Sequence, residues 1–190
     1  MTALRPAEPL VGRIVRAEPL EERHRDDLRA ASQDDPEIFR FTNFGFMGFE
    51  TWFDQALAAA HEAPFAVVVD GVAVGSMRFL NDEPAHKRVE IGWSWLRQSA
   101  WGTGANAETK FLLLQHAFET HGYQRVEFKT DARNERARAG LASIGGQFEG
   151  IFRKHMLLPS GVRDSAWYAI VDDDWPETKA MLQERIARYP

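Results

Sequence analysis

The chain has no cysteine among its 190 residues, which excludes disulfides, thiolate zinc sites and a cysteine nucleophile. No apolar run approaches the ~18 residues of a membrane span. The opening MTALRPAEPLVGR puts Pro and Glu where a signal peptide keeps an apolar core. A basic surplus is also missing: 23 Lys and Arg stand against 28 Asp and Glu, for a formal charge of -5. Bulk electrostatic binding to DNA or RNA is therefore not expected. Together these absences predict a soluble cytoplasmic protein with neither nucleic acid nor membrane as partner. The length suits one domain burying roughly 70% of its unfolded surface, read here as a flexible leader over 1–9 and a single domain over 10–190.

What is present alternates between two periodicities. Val11 to Ala17 reads as a first strand. Glu21 to Ser32 and Phe49 to His61 read as helices, with Leu28 and Ala31 on one apolar stripe and Trp52, Phe53, Ala56, Leu57 and Ala60 on the other. The intervening DDPEIFRFTNFGFMGF is too aromatic for a mere linker. Phe65 to Val69, Asp70-Gly71 and Val72 to Leu80 form a hairpin signal, because Asp-Gly supplies the positive φ angles of a tight turn. A polar loop over Asn81 to Lys87 leads to a strand from Arg88 to Leu96. Helix follows from about Asn106 to His121, then strand Arg125 to Thr130, helix Glu135 to Ile144, and strands Phe148 to Leu158 and Asp164 to Val171. Asp174 is placed to cap a last helix, and the run Asp172 to Asp174 reads as a charged turn rather than a metal site. Strands before, between and after helices give a mixed α/β domain.

The stretch SAWGTGANAETKFLLLQHAFE, Ser99 to Glu119, sets two glycines in front of a helix. A helix N-terminus carries unpaired N–H groups and partial positive charge, so such a turn suits phosphate. A Walker A loop needs Lys-Ser or Lys-Thr after its last glycine, and Ala105-Asn106 stands there instead. Gly102 to Ala107 satisfies G-x-G-x-x-A, and Asp131 ends the next strand, so a nicotinamide-binding Rossmann turn is a rival. Against it, EIGWSWL alternates and RQSA intervenes before Trp101-Gly102, whereas a Rossmann glycine follows a buried strand directly. Glycines that serve packing alone are the plain alternative.

Three segments in order and spacing, EIGWSWL, WGTGANAETKFLLLQHAFE and VEFKTDARNERARAGLASIGG, carry a resemblance over about residues 10 to 185. The sequence resembles the GCN5-related N-acetyltransferases (GNAT), in the branch of the RimJ and RimL ribosomal-protein acetyltransferases. The resemblance implies a central mixed, mostly antiparallel sheet of about seven strands flanked by helices and splayed between strands four and five. It implies acetyl-coenzyme A as co-substrate and no metal. The diphosphate would sit on Trp101, Gly102, Thr103, Gly104, Ala105 and Asn106, and the pantetheine arm would lie in the splay along Ser94, Trp95 and Leu96. Asn134 would bond the cofactor, with helix capping as its plain alternative, and Arg138, among Arg133, Arg136 and Arg138, would reach the adenosine phosphates. Two departures stand out. Ser99 replaces the Gln or Arg that begins the family's turn, and Ala137 replaces a serine of the later motif.

Transfer to an amine needs a group that accepts a proton near neutral pH. Glu90 opens the fourth strand where several relatives carry a catalytic Glu, and a carboxylate among aromatics suits the role. Pairing of Glu90 with Arg88 or Arg78 is its plain alternative. The tyrosine that many relatives use as acid is missing from SIGGQFEG. Phe41, Phe44, Phe46 and Trp93, with Phe39 and Trp52 nearby, fall where the family builds its acceptor wall, although core packing accounts for part of this set. His155 is read as structural. The expected activity is direct acetyl transfer to a primary amine, either a protein N-terminus or a small molecule, by a monomer or homodimer. The alternatives are a non-catalytic acyl-coenzyme A sensor and a nicotinamide-dependent oxidoreductase.

Overall fold

The computed structural model describes residues 4–190. In chain order the elements are β1 (Leu10–Val11), β2 (Arg16–Pro19), α1 (Arg25–Gln33), α2 (Phe44–Met47), α3 (Phe49–Ala58), β3 (Ala63–Val69), β4 (Val72–Glu83), β5 (Arg88–Leu96), α4 (Ala105–Gln115), β6 (Arg125–Asp131), α5 (Glu135–Ala142), β7 (Gln147–Leu158), β8 (Gly161–Val171) and α6 (Trp175–Ala187). The strands form one sheet in the order β1-β2-β3-β4-β5-β6-β8-β7. Every pairing is antiparallel except β5 with β6. No helix among the described residues is long and apolar enough to cross a membrane.

The hairpin forms as its turn chemistry requires: Asp70 and Gly71 take φ of 49° and 81°, and Val69 pairs with Val72. The single strand expected over Val11 to Ala17 is instead two short strands. Their break has a distant cause. Buried Glu108, on α4, accepts the backbone N–H groups of Arg13, Ile14 and Val15 at 2.9, 2.6 and 2.7 Å, so this segment bonds a side chain where a strand would bond its neighbour. A Cβ on Gly12 would lie 2.5 Å from the Glu108 carboxylate, so only glycine fits there. The extra strand raises the count from about seven to eight, and the expected fourth and fifth strands are β5 and β6. Other boundaries shift as well. A 3-10 turn at Glu22–His24 precedes α1, β4 runs on to Glu83 through the expected polar loop, and α4 passes into a π-helical turn at His116–Thr120. Of the expected leader, residues 1–3 lie outside the described residues, whereas Leu4 is fully buried and Arg5 donates to the Leu20 carbonyl.

The sheet buries both faces. Phe65, Val67, Met77, Phe79, Ile91, Leu113, Leu114, Phe128 and Ile170 form the core beneath α4 and α6. Leu28, Phe39, Phe44, Trp52, Phe53, Ala66, Val68 and Trp95 form a second core beneath α1 to α3. Alternation along β3 feeds both cores, with Phe65 and Val67 to one side and Ala66 and Val68 to the other. Each large side chain buried this way contributes about 1.5–3 kcal/mol of transfer free energy.

Candidate active site

The site begins with a parting of strands. β5 and β6 pair only through Arg88, Val89 and Glu90 opposite Arg125, Val126 and Glu127. Beyond Glu90 the facing edge of β5 has no strand partner, which leaves main-chain groups free for an extended ligand. The same strand carries a bulge. Gly92 pairs with Arg78 and Trp95 with Ser76, so three steps on β5 span two on β4, and Trp93 takes a left-handed φ of 51°. The bulge re-aims Trp93, whose ring lies 4.8 Å from the Arg78 guanidinium carbon.

At the end of β5 the glycine turn enters α4. Gly102 and Gly104 take φ of 74° and 89°, and Gly104 is the N-cap residue. Among the described residues, the backbone N–H groups of Gly102, Thr103, Gly104, Asn106 and Ala107 have no backbone partner. They converge where the helix dipole favours an anion. Space around the two glycines differs. Nothing stands within 4 Å of a Cβ on Gly102, but one on Gly104 would meet Ile14 and Tyr189 at 2.7 Å. Gly104 is therefore needed for packing as much as for approach, and Gly102 is the open position. The Trp101 indole donates to the Leu96 carbonyl at 2.9 Å, and Arg136 lies 3.9 Å over its ring. Beneath the turn, buried Lys110 donates to Asn106 Oδ1 at 2.6 Å, and burial pushes its ammonium down to about 8.

Arg138 does not reach this turn. Its guanidinium donates to Tyr168 Oη and the Ala132 carbonyl, and lies over Phe148. Arg136, two residues earlier on the helix and so on a different face, is the arginine beside the turn. Asn134 caps α5, its Oδ1 accepting from Ala137 N–H at 3.0 Å, which leaves its amide NH2 for other partners.

Glu90 is 2% exposed. Its Oε2 accepts from Asn81 Nδ2 at 2.7 Å and Lys129 Nζ at 2.8 Å, while among the described residues no hydrogen bond engages Oε1. The alternative pairing with Arg88 or Arg78 is not formed: Arg88 bonds Glu83 and Glu127, and Arg78 bonds Glu62. A Cβ on Gly92 would sit 3.0 Å from Oε1, so glycine leaves space beside that buried, unbonded oxygen. Around it the β6, β7 and β8 faces bring Lys129 over Trp167 at 5.3 Å, and His155 Nδ1 within 3.0 Å of Ser165 Oγ. Burial, then the Lys129 and Arg163 charges, hold the His155 ring below its ordinary value, so it is neutral near pH 7. Burial would raise the Asp131 carboxyl, but hydrogen bonds and charge from Arg133 hold it low.

The expected acceptor wall divides. Phe44 stacks on Phe39 at 3.8 Å and packs against Trp52 and Trp95, inside the aromatic core rather than on the wall. Trp95 is likewise buried there, so only its main chain can face the splay. Phe46 is 53% exposed, and Phe41 is half-buried with the Arg133 guanidinium 5.8 Å from its ring. Ser94 is exposed on β5, and Leu96 is buried. Sequence reasoning misses Lys129, Asn81, Arg163 and Ser165. They reach the site through strand register and loop path, for which a lone polar residue carries no signal.

The family model described as an acetyltransferase (GNAT) domain matches residues 15–147. No curated protein matches the chain. A GCN5-related N-acetyltransferase from Brucella melitensis is 32% identical with a TM-score of 0.91, over 96% of this chain and 87% of that one. A protein from T. thermophilus, classed with the acetyltransferases, is 34% identical with a TM-score of 0.86, over 97% and 99% of the two chains. Mycobacterium smegmatis RimJ, solved with CoA-disulfide, is 20% identical and shares the fold, with a TM-score of 0.80 over 95% of this chain and 92% of its own. A splayed mixed sheet with a glycine turn at its mouth, the family match and relatives above 30% identity together place the chain in the GNAT acetyltransferase family.

Proposed function

We propose that this protein moves the acetyl group of acetyl-coenzyme A to a primary amine by direct attack in a ternary complex. The observation that carries the reading is the unbonded Oε1 of Glu90 beside the parted edges of β5 and β6, with free N–H groups of the glycine turn at the far end. The diphosphate rests on Gly102 to Ala107, with Lys110 adding positive charge beneath. The pantetheine arm follows the main chain of Ser94, Trp95 and Leu96. RimJ of M. smegmatis, solved with a coenzyme A disulfide, supports this placement by shared fold.

The neutral amine attacks the thioester carbonyl, the new C–N bond forms and the C–S bond breaks. Glu90 Oε1 takes the proton lost by nitrogen, and the departing thiolate regains one through water. Lys129 and Asn81 fix the carboxylate by its other oxygen, so the attacking geometry is set before substrate arrives. No side chain is assigned as acid, because a thiolate is a competent leaving group without one.

Calorimetric titration with acetyl-coenzyme A, and with NAD and NADP in parallel, tests the binding half. Thiol release in the presence of an amine panel tests the transfer half. Saturable binding of acetyl-coenzyme A alone, with amine-dependent release, is expected. Binding without release across the panel would favour a sensor, and nicotinamide binding alone would overturn the reading of the glycine turn.

A further inference from the structure

We infer that the acceptor is a small amine bearing a carboxylate, and that the carboxylate is held by the guanidinium of Arg163 on the wall of the cleft. This rests on the acetyl-transfer reading and names the substrate class of that site. Arg163 lies on β8 two residues before Ser165, which pairs with Asp131 at the last residue of β6. It therefore stands just past the end of β6, where β5 and β6 have parted. The alternation along β8 sets Arg163, Ser165 and Trp167 on one face. Trp167 is the ring beneath Lys129, which in turn holds Glu90. Arg163 is thus a wall residue of the cleft that contains the unbonded oxygen of Glu90.

Its bonding is incomplete. Arg163 Nε donates to Ser165 Oγ at 3.1 Å, and the same hydroxyl meets His155 Nδ1 at 3.0 Å. Among the described residues no carboxylate forms an ion pair with Arg163, and neither Nη is hydrogen-bonded. The neighbouring acids are committed elsewhere. Asp131 receives Arg133 through both oxygens, at 2.9 and 2.8 Å, and Glu90 receives Lys129. The cleft therefore contains two neutralised pairs and one half-buried cation with its outer edge free. A half-buried guanidinium without a counter-charge costs stability unless an anion completes it. Burial already holds Arg163 below its ordinary value, with Asp131 and Glu90 opposing.

A planar fork of two donors fits a carboxylate in bidentate fashion. Ser165 and His155 fix the inner nitrogen, so the fork is oriented before the ligand arrives. The other arginines near this face are taken or closed off: Arg88 and Arg125 bond Glu127, Arg133 bonds Asp131, and Arg78 is buried against Trp52 and Trp93 with Glu62 as its ion-pair partner.

The test measures acetylation of L-amino acids beside their carboxamides and decarboxylated amines, by the full chain with acetyl-coenzyme A near pH 7.5. The acids are expected to exceed their carboxamides in kcat/KM by ~10–100-fold, the range of a charge-assisted bidentate contact. In Arg163→Gln that ratio should fall to near one, chiefly through KM of the acids. Arg163→Lys should keep part of it, and melting curves of both variants report whether the fold is intact. Equal use of acids and carboxamides by the wild type, or an equal loss on both in a folded Arg163→Gln, overturns the anchor. Acetylation of peptide N-termini alone overturns it in favour of a protein acceptor. Failure of the wild type to bind acetyl-coenzyme A removes the transfer reading and the anchor with it. Binding and turnover of uncharged amines alone removes only the anchor.

Discussion

Glu90 and Lys110 are both buried ionisable groups, and they serve opposite ends of the proposed cofactor path. Replacing Glu90 with Gln preserves shape and hydrogen bonding to Asn81 but removes the proton acceptor. The expected result is a fall in kcat of about 10²–10⁴, with acetyl-coenzyme A affinity unchanged within error; steady-state kinetics and calorimetry on the same preparation check this. Unchanged kcat would make Glu90 a partner for Lys129 and nothing more. Lys110 answers to pH. Its folded value, about 8, lies below the 10.5 of an exposed lysine. At pH 7 both folded and unfolded chains hold the proton, so the full cost of burying the charge is present. Between about 8 and 10.5 the unfolded chain binds more protons than the folded one, so this group's contribution to stability rises with pH across that window. Lys110→Met should therefore be more stable than the wild type at pH 7, by up to ~3 kcal/mol, with the gap closing towards pH 10.5. Urea unfolding at both pH values measures it. The same variant should bind coenzyme A more weakly, since a cation beneath the diphosphate is lost.

At the scale of elements, the turn before α4 and the segment between β1 and β2 are held by different means. Gly102→Ala places a side chain in open space at a φ of 74°. It should cost about 1–2 kcal/mol of backbone strain and weaken coenzyme A binding while the fold persists. Gly104→Val meets Ile14 and Tyr189, so its first effect is on folding. Paired melting and binding curves separate the two. Glu108→Ala leaves the N–H groups of Arg13, Ile14 and buried Val15 without their acceptor and should cost about 2–4 kcal/mol, roughly 4–16 °C in melting temperature for a chain of this size. These cases also show what a sequence can reveal. Asp70-Gly71 is legible because its conformational demand is local, and Arg88 to Leu96 because its alternation is intact. The break at Gly12 to Val15 is not, because its cause lies about 95 residues away in Glu108. A motif points to Glu90 but not to its partner, since only the register of β5 on β6 and the length of a lysine side chain bring Lys129 to it. Composition cannot separate Arg138 from Arg136. Helical phase decides between two residues ~200° apart, and that phase is set by how α5 lies on the sheet.

At the scale of the molecule, the sheet is two blocks, β1 to β5 and β6 to β8, joined by a ladder of three residue pairs and by the helices on its faces. An extended ligand in the gap would act as a missing strand. Acetyl-coenzyme A at 100 times its Kd should raise stability by ~2.7 kcal/mol, read as a shift in melting temperature. The short ladder also gives the molecule a seam. Under a pulling force, or in a pulse of deuterated water, the free protein should yield first along Ile91 to Leu96, whose inner edge lacks a neighbour. With the cofactor seated, that edge should become one of the slower regions to exchange. The substrate would then be a removable part of the fold's own architecture, and each catalytic cycle would close and reopen the seam.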